Sequence, residues 1–271
     1  MSITQRSAKN LALAALFSVS AFSFSGEVLA TALFDSGIPA GWTSQGNTGT
    51  LGANGVVTLA PSGGSQYGWV STAGGVTGVG LGIGSETTGS TLTSSLFSAT
   101  AGDNLHFSFN FVTSDGAGYA DYGWAQLLDS AHSPVATLFT ARTTPSGNSV
   151  PGFGMPAIAA TITPSTVTII PGGPSWSPLG SSSGTCYSTG CGYTGWILSD
   201  YTIAASGNYF LEFGAVNWAD SLYQTGMAFD GITVGGIPIG GGGTVPEPAS
   251  LALLGIGLTG LAAARRRKQM A

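Results

Sequence analysis

Residues 105–113 read Leu-His-Phe-Ser-Phe-Asn-Phe-Val-Thr, and this stretch decides the fold class. Large apolar side chains occupy every second position from Leu105 to Phe111, with polar side chains between them. Because successive side chains of a strand point to opposite faces, this period of two predicts a strand with one face in a core. Residues 209–217 repeat the pattern less strictly. The sequence therefore predicts β-structure built on long amphipathic strands.

Seven shorter runs are also predicted as strands, because each is bounded by Gly, Pro, Asn, Asp or Ser. They cover residues 56–59, 91–97, 122–128, 135–140, 166–170, 196–202 and 228–234. No helical period of useful length occurs between residues 31 and 244. Seven prolines between residues 144 and 195 predict a long irregular excursion, interrupted by the short strand at 166–170. This pattern is typical of an all-β sandwich.

The charge distribution argues against nucleic-acid binding. Residues 31–244 contain ten acidic residues and one basic residue, Arg142, which gives this body a formal charge of −9. A surface without a basic patch repels nucleic acid and anionic lipid headgroups. The 44 glycines could indicate disorder, but Trp, Tyr and Phe occur throughout, and disordered chains lack them. The body is therefore expected to fold as one domain.

The N-terminus has the features of a secretory signal peptide. Arg6 and Lys9 supply positive charge, residues 11–24 are mostly apolar, and Val28-Leu29-Ala30 is a small-residue cleavage site. Signal peptidase is expected to cleave after Ala30, with a second site of the same type two residues later. The apolar stretch is too short for a permanent anchor.

The C-terminus has three parts in a fixed order: a short motif, an apolar run and a basic cluster. They are Val245-Pro246-Glu247-Pro248, residues 249–264 and Arg265-Arg266-Arg267-Lys268. The apolar run would form about 24 Å of helix, which is short for a bilayer core of about 30 Å. The basic cluster would hold the C-terminus on the cytoplasmic side of the membrane. A marginal anchor of this kind suits a tail that is removed after recognition.

This tail resembles the PEP-CTERM sorting signal of Gram-negative exported proteins, over residues 245–269. The resemblance implies cleavage near the Pro-Glu-Pro motif by an exosortase-type membrane transpeptidase, after transient anchoring in the inner membrane. It also implies a final location at the cell surface or outside the cell, and a link to exopolysaccharide and biofilm matrix. The predicted boundaries are 1–30 for the signal peptide, 31–239 for the β-sandwich, 240–244 for a Gly-rich linker and 245–271 for the sorting signal.

The body also resembles a family of PEP-CTERM proteins with four shared motifs. Here they are Phe-Asn-Phe-Val-Thr-Ser-Asp-Gly (109–116), Asp-Tyr-x-Trp-Ala (121–125), Phe-Gly-Ala-Val-Asn-Trp-x-Asp (213–220) and Ala-Phe-Asp-Gly-Ile-Thr-Val (228–234). The last motif is similar to the closing strand of jelly-roll, galactose-binding-like domains. The resemblance implies a single jelly-roll-like β-sandwich between an N-terminal signal helix and a C-terminal hydrophobic helix. It implies no ligand.

Four aspartates are candidates for a structural calcium site. Asp115, Asp121, Asp220 and Asp230 follow strands or lie in Gly-rich connections, where carboxylate and carbonyl oxygens could surround a hard cation. Their spacing matches no EF-hand or RTX repeat, and aspartate beside glycine is also common in ordinary turns. The sequence therefore allows two interpretations of these aspartates: a structural calcium site, with calcium as the one possible cofactor, or ordinary turns.

The two cysteines, Cys186 and Cys191, are separated by four residues. In an exported protein this spacing favours a disulfide that closes a short loop. A zinc site is the alternative, but no second Cys/His pair lies nearby.

No catalytic residue is predicted. Residues 180–184 match the nucleophile-elbow pattern, but they lack the strand before it and the helix after it. His106 faces away from the phenylalanines of its strand, so it is expected at the surface or against a second layer. The six tryptophans could stack on sugars if exposed; core packing is the default, and Trp176 is the expected exception.

These observations favour a non-enzymatic surface or matrix protein that associates with polysaccharide. The alternatives are a carbohydrate-active enzyme that uses paired carboxylates on the same fold, and a self-associating structural subunit. Glycan binding without turnover, product release and assembly without glycan would distinguish the three.

Overall fold

A computed structural model of the chain describes residues 33–240, which form seventeen strands and one 3₁₀ segment at Ser177–Ser182. The strands are β1 (Thr43–Gln45), β2 (Asn47–Leu51), β3 (Tyr67–Ser71), β4 (Glu86–Thr93), β5 (Phe97–Ala99), β6 (Asn104–Thr113), β7 (Tyr122–Asp129), β8 (Pro134–Arg142), β9 (Asn148–Val150), β10 (Thr161–Thr163), β11 (Val167–Thr168), β12 (Ile170–Pro171), β13 (Gly192–Tyr193), β14 (Ile197–Thr202), β15 (Gly207–Trp218), β16 (Thr225–Val234) and β17 (Ile237–Pro238).

The strands pair into two large antiparallel sheets. The first sheet has the order β1-β4-β15-β7-β8, with β5 added to β15. The second has the order β10-β14-β6-β16-β3-β2, and the short strands β12, β13 and β17 pair at its margins. β9 and β11 form a separate pair. Long strands close in sequence, such as β15 and β16, lie in different sheets, so the chain repeatedly crosses between the two layers.

Aromatic rings hold the two sheets together. Phe109 of β6 stacks on Phe139 of β8, with ring centroids 3.7 Å apart. Phe213 of β15 stacks on Phe229 of β16 at 3.9 Å. All four side chains are fully buried, and each pair joins one sheet to the other. The period of two in residues 105–113 thus delivers phenylalanines to the interior, and the predicted all-β sandwich is confirmed.

The predicted strands with strong alternation are present. β6, β7, β8, β14, β15 and β16 cover the runs predicted at 105–113, 122–128, 135–140, 196–202, 209–217 and 228–234, with small differences at their ends. The run predicted at 166–170 contains the short strands β11 and β12. The predicted excursion holds further short strands that the sequence did not indicate.

Two strand predictions need correction. Residues 56–59 form no strand, because Gly55 adopts a positive φ of 56° and the chain turns back to pair Asn54 with Val57. The predicted strand at 91–97 begins earlier, at Glu86, and breaks after Thr93. The break follows from Ser94, which exchanges backbone and side-chain hydrogen bonds with Leu211 in place of the regular ladder.

The prediction that Trp176 is exposed is wrong. Its side chain is fully buried, and its indole N–H donates to the Tyr67 hydroxyl at 3.0 Å. The proline-rich excursion folds over the outer face of the second sheet, where Trp176 and Leu179 pack against Val57 and Ala228. A local composition of loop type did not indicate that the loop covers a sheet.

Candidate functional site

Three connections meet at one end of the sandwich, and we call them the loop end. They are residues 114–121 between β6 and β7, residues 185–192 in the excursion, and residues 219–224 between β15 and β16. Ser114 joins all three, because its N–H donates to the Gln224 carbonyl (3.1 Å) and its carbonyl accepts from the Tyr187 N–H (3.0 Å). The loop end therefore gathers segments that are distant in sequence.

Asp121 lies at the base of the loop end and connects the two sheets. Its side chain is fully buried. Its Oδ1 accepts from the Trp218 N–H of β15 at 2.7 Å, and its Oδ2 accepts from the Thr225 hydroxyl of β16 at 2.6 Å. A hydrogen bond to each sheet makes this residue an anchor of the fold.

Asp115 is buried with part of its hydrogen-bonding capacity unused. It is 1% exposed, and its Oδ1 accepts from the Gly116 N–H at 2.6 Å. Its Oδ2 has no partner within residues 33–240, and the same holds for the buried Oδ1 of Asn217. Buried polar oxygens in this condition are costly unless a proton, a water or an ion satisfies them.

Burial and neighbouring carboxylates together raise the pKa of Asp115 and of Asp121. Burial raises the pKa of Asp115 to about 7, and the nearby Asp220 carboxylate adds to this shift. Burial also raises the pKa of Asp121 well above its ordinary value, with a further contribution from Asp115. Three like charges at one end of a domain thus favour either protonation or a bound cation.

Arg142, the one basic residue of the body, does not bind these carboxylates directly. Its guanidinium donates to the carbonyls of Ala120 (3.0 Å) and Phe153 (3.2 Å) and lies 4.3 Å from the centre of the Trp218 ring. Within the described part of the chain, the one contact between a basic and an acidic side chain is the hydrogen bond between His106 and Asp200. The positive charge of Arg142 therefore acts on the carboxylates of the loop end without a direct hydrogen bond to them.

The predicted calcium ligands are only partly brought together. Asp115, Asp121 and Asp220 lie at the loop end. Asp230 lies on β16 five positions beyond Thr225, where it pairs with Ser108 and accepts a hydrogen bond from Ser62 at 3.2 Å. Residues 33–240 contain no group of three or more Asp, Glu, His or Cys side chains arranged to hold a metal ion. Calcium at the loop end stays a prediction, and it would require amide or carbonyl oxygens such as Asn217 Oδ1.

Three tyrosines lie together at the loop end. The Tyr187 ring lies 5.4 Å from that of Tyr119 and 5.0 Å from that of Tyr223, and Tyr187 is 48% exposed. Cys186 and Cys191 are disulfide-bonded, with Cα atoms 5.7 Å apart, and so close the loop that carries Tyr187. The sequence predicted sugar-stacking groups only among the tryptophans. It did not indicate this tyrosine cluster, because only the fold brings its members together.

The remaining predicted site residues lie outside residues 33–240. They are Val28 and Ala30 of the signal, Val245, Pro246, Glu247 and Pro248 of the motif, and Arg265, Arg266 and Arg267 of the tail. Among the residues that the structure describes, no helix is long and apolar enough to cross a membrane. The predicted apolar helix at 249–264 is not among them.

Comparison with known families identifies the tail. Residues 244–268 match the PEP-CTERM protein-sorting motif, so the chain carries an exosortase-dependent export and sorting signal, as predicted. No curated protein matches the sequence.

Similar solved structures are distant. The K1 and K3 cleaved adhesin domains of Lys-gingipain from Porphyromonas gingivalis W83 are 13% and 11% identical, with TM-scores of 0.35 and 0.33. Each match covers 74% of this chain, and 93% and 94% of those chains. The enzymatically active domain of bacteriophage CBA120 tailspike protein 4 is 13% identical, with a TM-score of 0.32, and the match covers 72% of this chain and 19% of that one. Similarity at this level carries no information about ligand or activity.

Proposed function

We propose that this chain is a surface or extracellular-matrix protein that associates with exopolysaccharide and acts without catalysis. The observation that carries the proposal is the sorting motif at residues 244–268 behind a folded β body. A protein exported with such a tail acts in the envelope or outside it, where polysaccharide is an abundant partner. The disulfide between Cys186 and Cys191 suits that oxidising location.

The loop end is the surface that we assign to polysaccharide binding. Tyr187 presents an apolar ring with a hydroxyl at its edge, a combination that suits the alternating C–H and O–H groups of a sugar. Tyr119 and Tyr223 hold this ring in place through aromatic contacts. Because the ring is already positioned, little conformational freedom is lost on binding.

The charge of the body narrows the partner. Between residues 31 and 244 the body carries ten acidic residues against one arginine, Arg142, and no lysine. An acidic surface repels an acidic polymer. The proposed partner is therefore a neutral polysaccharide.

One observation favours the alternative of a carbohydrate-active enzyme. A pKa of about 7 for Asp115 suits a general acid at neutral pH. Against this, Asp115 and Asp121 are at most 1% exposed, and both Asp121 oxygens hold the two sheets together. An assay for new reducing ends separates the proposals, since turnover of a bound glycan would establish the enzyme.

The proposal is tested by binding of the processed protein to polysaccharide from the cells that export it. Tyr187→Ala is expected to weaken retention on immobilised polysaccharide about tenfold, as the loss of a central aromatic contact does. Val135→Ala is the matched control, because Val135 is 47% exposed at the end of β8 that lies away from the loop end. Equal retention of both variants would remove the loop end from the proposal, and no retention of the unaltered protein would end it.

A further inference from the structure

A second concave surface lies on the outer face of the second sheet, away from the loop end. It is a pocket of about 470 Å³, within the size range of small-ligand sites. Its floor is formed by β14, β6 and β16, and the loop around Ser62 forms part of its rim. None of the motifs assigned to the loop end explains it.

The pleat of β6 places polar side chains in this pocket. Phe107 and Phe109 point into the core, so His106 and Ser108 point outward. In the pairing register His106 lies between Asp200 of β14 and Thr233 of β16. Neighbours in such a row share one face of the sheet, so the row forms a continuous polar strip.

Asp200 fixes the orientation of the His106 ring. Its Oδ1 lies 2.8 Å from His106 Nδ1 and also accepts from the Asn104 side-chain amide at 2.9 Å. An ionised carboxylate can only accept, so Nδ1 carries the proton in this pair. In the neutral ring Nε2 is then an acceptor, and the side chain is 38% exposed. The pocket therefore offers a preoriented acceptor to a ligand hydroxyl.

The other lining groups add hydroxyls and apolar contact. Ser108 and Thr233 have side chains that can both donate and accept, and Leu198 supplies an apolar wall. The rim is held by the hydrogen bond from the Ser62 hydroxyl to Asp230 at 3.2 Å. Burial raises the pKa of Asp230 to about 6, so this carboxyl is near its midpoint in mildly acidic surroundings.

We infer that this pocket is a second polysaccharide subsite, which takes a neutral sugar unit through His106 Nε2 and the hydroxyls beside it. The inference rests on the proposed function and adds to it a second binding site with named ligand-contacting groups. Neutral sugars are favoured because Asp200 and Asp230 flank the pocket and no lysine occurs in residues 31–244. An anionic sugar would meet repulsion, with no lysine or arginine in the pocket lining to offset it. The mixture of hydroxyls, a ring nitrogen and one apolar wall matches the alternating polarity of a pyranose.

The chain offers an internal control for a direct test, because it contains two histidines. His106 lines the pocket, whereas His132 stacks on Phe210 of the other sheet, with ring centroids 4.3 Å apart. We would titrate the processed protein with cellohexaose, maltohexaose and mannohexaose, and with hexagalacturonate as the anionic probe, and follow the histidine ring signals by NMR.

At least one neutral hexasaccharide is expected to shift the His106 signal and leave the His132 signal in place, and hexagalacturonate is expected to shift neither. His106→Asn should weaken binding of that hexasaccharide about tenfold, the effect of losing one well-placed hydrogen bond. His132→Asn, the matched substitution, should leave the affinity unchanged. Thr233→Val tests the pocket without altering the His106–Asp200 hydrogen bond and should also weaken binding.

The inference is overturned if no neutral probe moves the His106 signal, or if His106→Asn and Thr233→Val both bind as tightly as the unaltered protein. Its failure differs from failure of the proposed function. Loss of the His106 response while Tyr187→Ala still impairs retention on polysaccharide would remove this subsite alone. Absence of any polysaccharide retention would instead remove the proposed function.

Discussion

Asp115 shows most clearly how burial and charge conflict in this domain. Its carboxyl is 1% exposed, and one of its oxygens has no partner within residues 33–240. The Asp220 carboxylate adds to the rise in the pKa of Asp115, and Asp115 in turn adds to the rise in the pKa of Asp121. A proton and a calcium ion both relieve this conflict. The two solutions predict different responses to calcium and to pH.

The first prediction concerns calcium. If Asp115, Asp121 and Asp220 hold the ion, calcium at about a hundredfold excess over its Kd adds about 2.7 kcal/mol of stability. This corresponds to a rise of about 5–10 °C in the melting temperature of a domain of this size. Thermal melts in calcium and in EGTA measure it. Asp115→Asn should abolish the response and Asp129→Asn, in the β7–β8 turn, should keep it.

Identical melting temperatures in calcium and EGTA would leave these aspartates as structural residues of the loop end. Protonation of the buried carboxyls would then relieve the conflict between their burial and their charge.

The second prediction concerns pH, measured in EGTA. The folded-state pKa of Asp115 is raised to about 7, above an unfolded value of about 3.9. Its protonated form is thus favoured by folding, so its contribution to stability is full below about pH 4 and is lost as the pH rises through about 7. Asp230, with a pKa raised to about 6, acts in the same direction.

The melting temperature should therefore fall by several degrees between pH 5 and pH 8. Asp115→Asn, which cannot titrate, should flatten this slope, while Asp129→Asn should preserve it. A melting temperature that rises over the same interval would contradict the burial of Asp115.

At the scale of the strands, the sequence predicted the elements that carry a strong alternation. β6 was readable because its phenylalanines all serve one core. β2 and β3 were not, since Asn-Thr-Gly-Thr-Leu has no apolar face and β3 is covered on its outer side by Trp176 and Leu179. Burial on both faces, or on neither, removes the alternation on which strand prediction depends.

The site could be predicted only where chemistry is local. Aspartates in the connections after strands marked two of the three segments of the loop end, but did not show that these segments meet. Asp230 was grouped with the others although it lies about 17 Å away along the strand, at about 3.4 Å per residue. The two tyrosine contacts join residues 68 and 36 positions apart, and the His106–Asp200 hydrogen bond joins residues 94 positions apart, so no spacing along the chain indicates them.

The third prediction concerns the disulfide-closed loop. Because the bond between Cys186 and Cys191 closes a short loop, replacing both by serine should cost only about 2 kcal/mol of unfolding free energy. The loss of polysaccharide binding in this variant should be larger than its modest loss of stability suggests, since the loop positions the exposed Tyr187 ring. Urea unfolding measures the first, and retention on polysaccharide the second.

Two free thiols in exported protein, found by mass spectrometry with and without reduction, would refute the bond. Unchanged retention of the double-serine variant would show that the loop end does not depend on it.

At the scale of the whole molecule, the distribution of charge agrees with the predicted targeting segments. Six of the seven basic residues lie in the two terminal segments, and the body between them is acidic. Basic residues are therefore concentrated beside the two predicted membrane-targeting segments, where positive charge sets the orientation in the membrane. They are nearly absent from the body that is expected to be exported. The sorting motif at residues 244–268 then determines how the body is separated from its anchor.

The measurement that tests this account most directly is the intact mass of the protein recovered from the envelope and from the medium of cells that export it. We expect the dominant species to begin after Ala30, or two residues later, and to end near Pro246-Glu247-Pro248. In cells without the transpeptidase, a species that retains the C-terminal tail should accumulate in the membrane. A dominant mature form that still carries Arg265, Arg266, Arg267 and Lys268 would contradict processing by an exosortase.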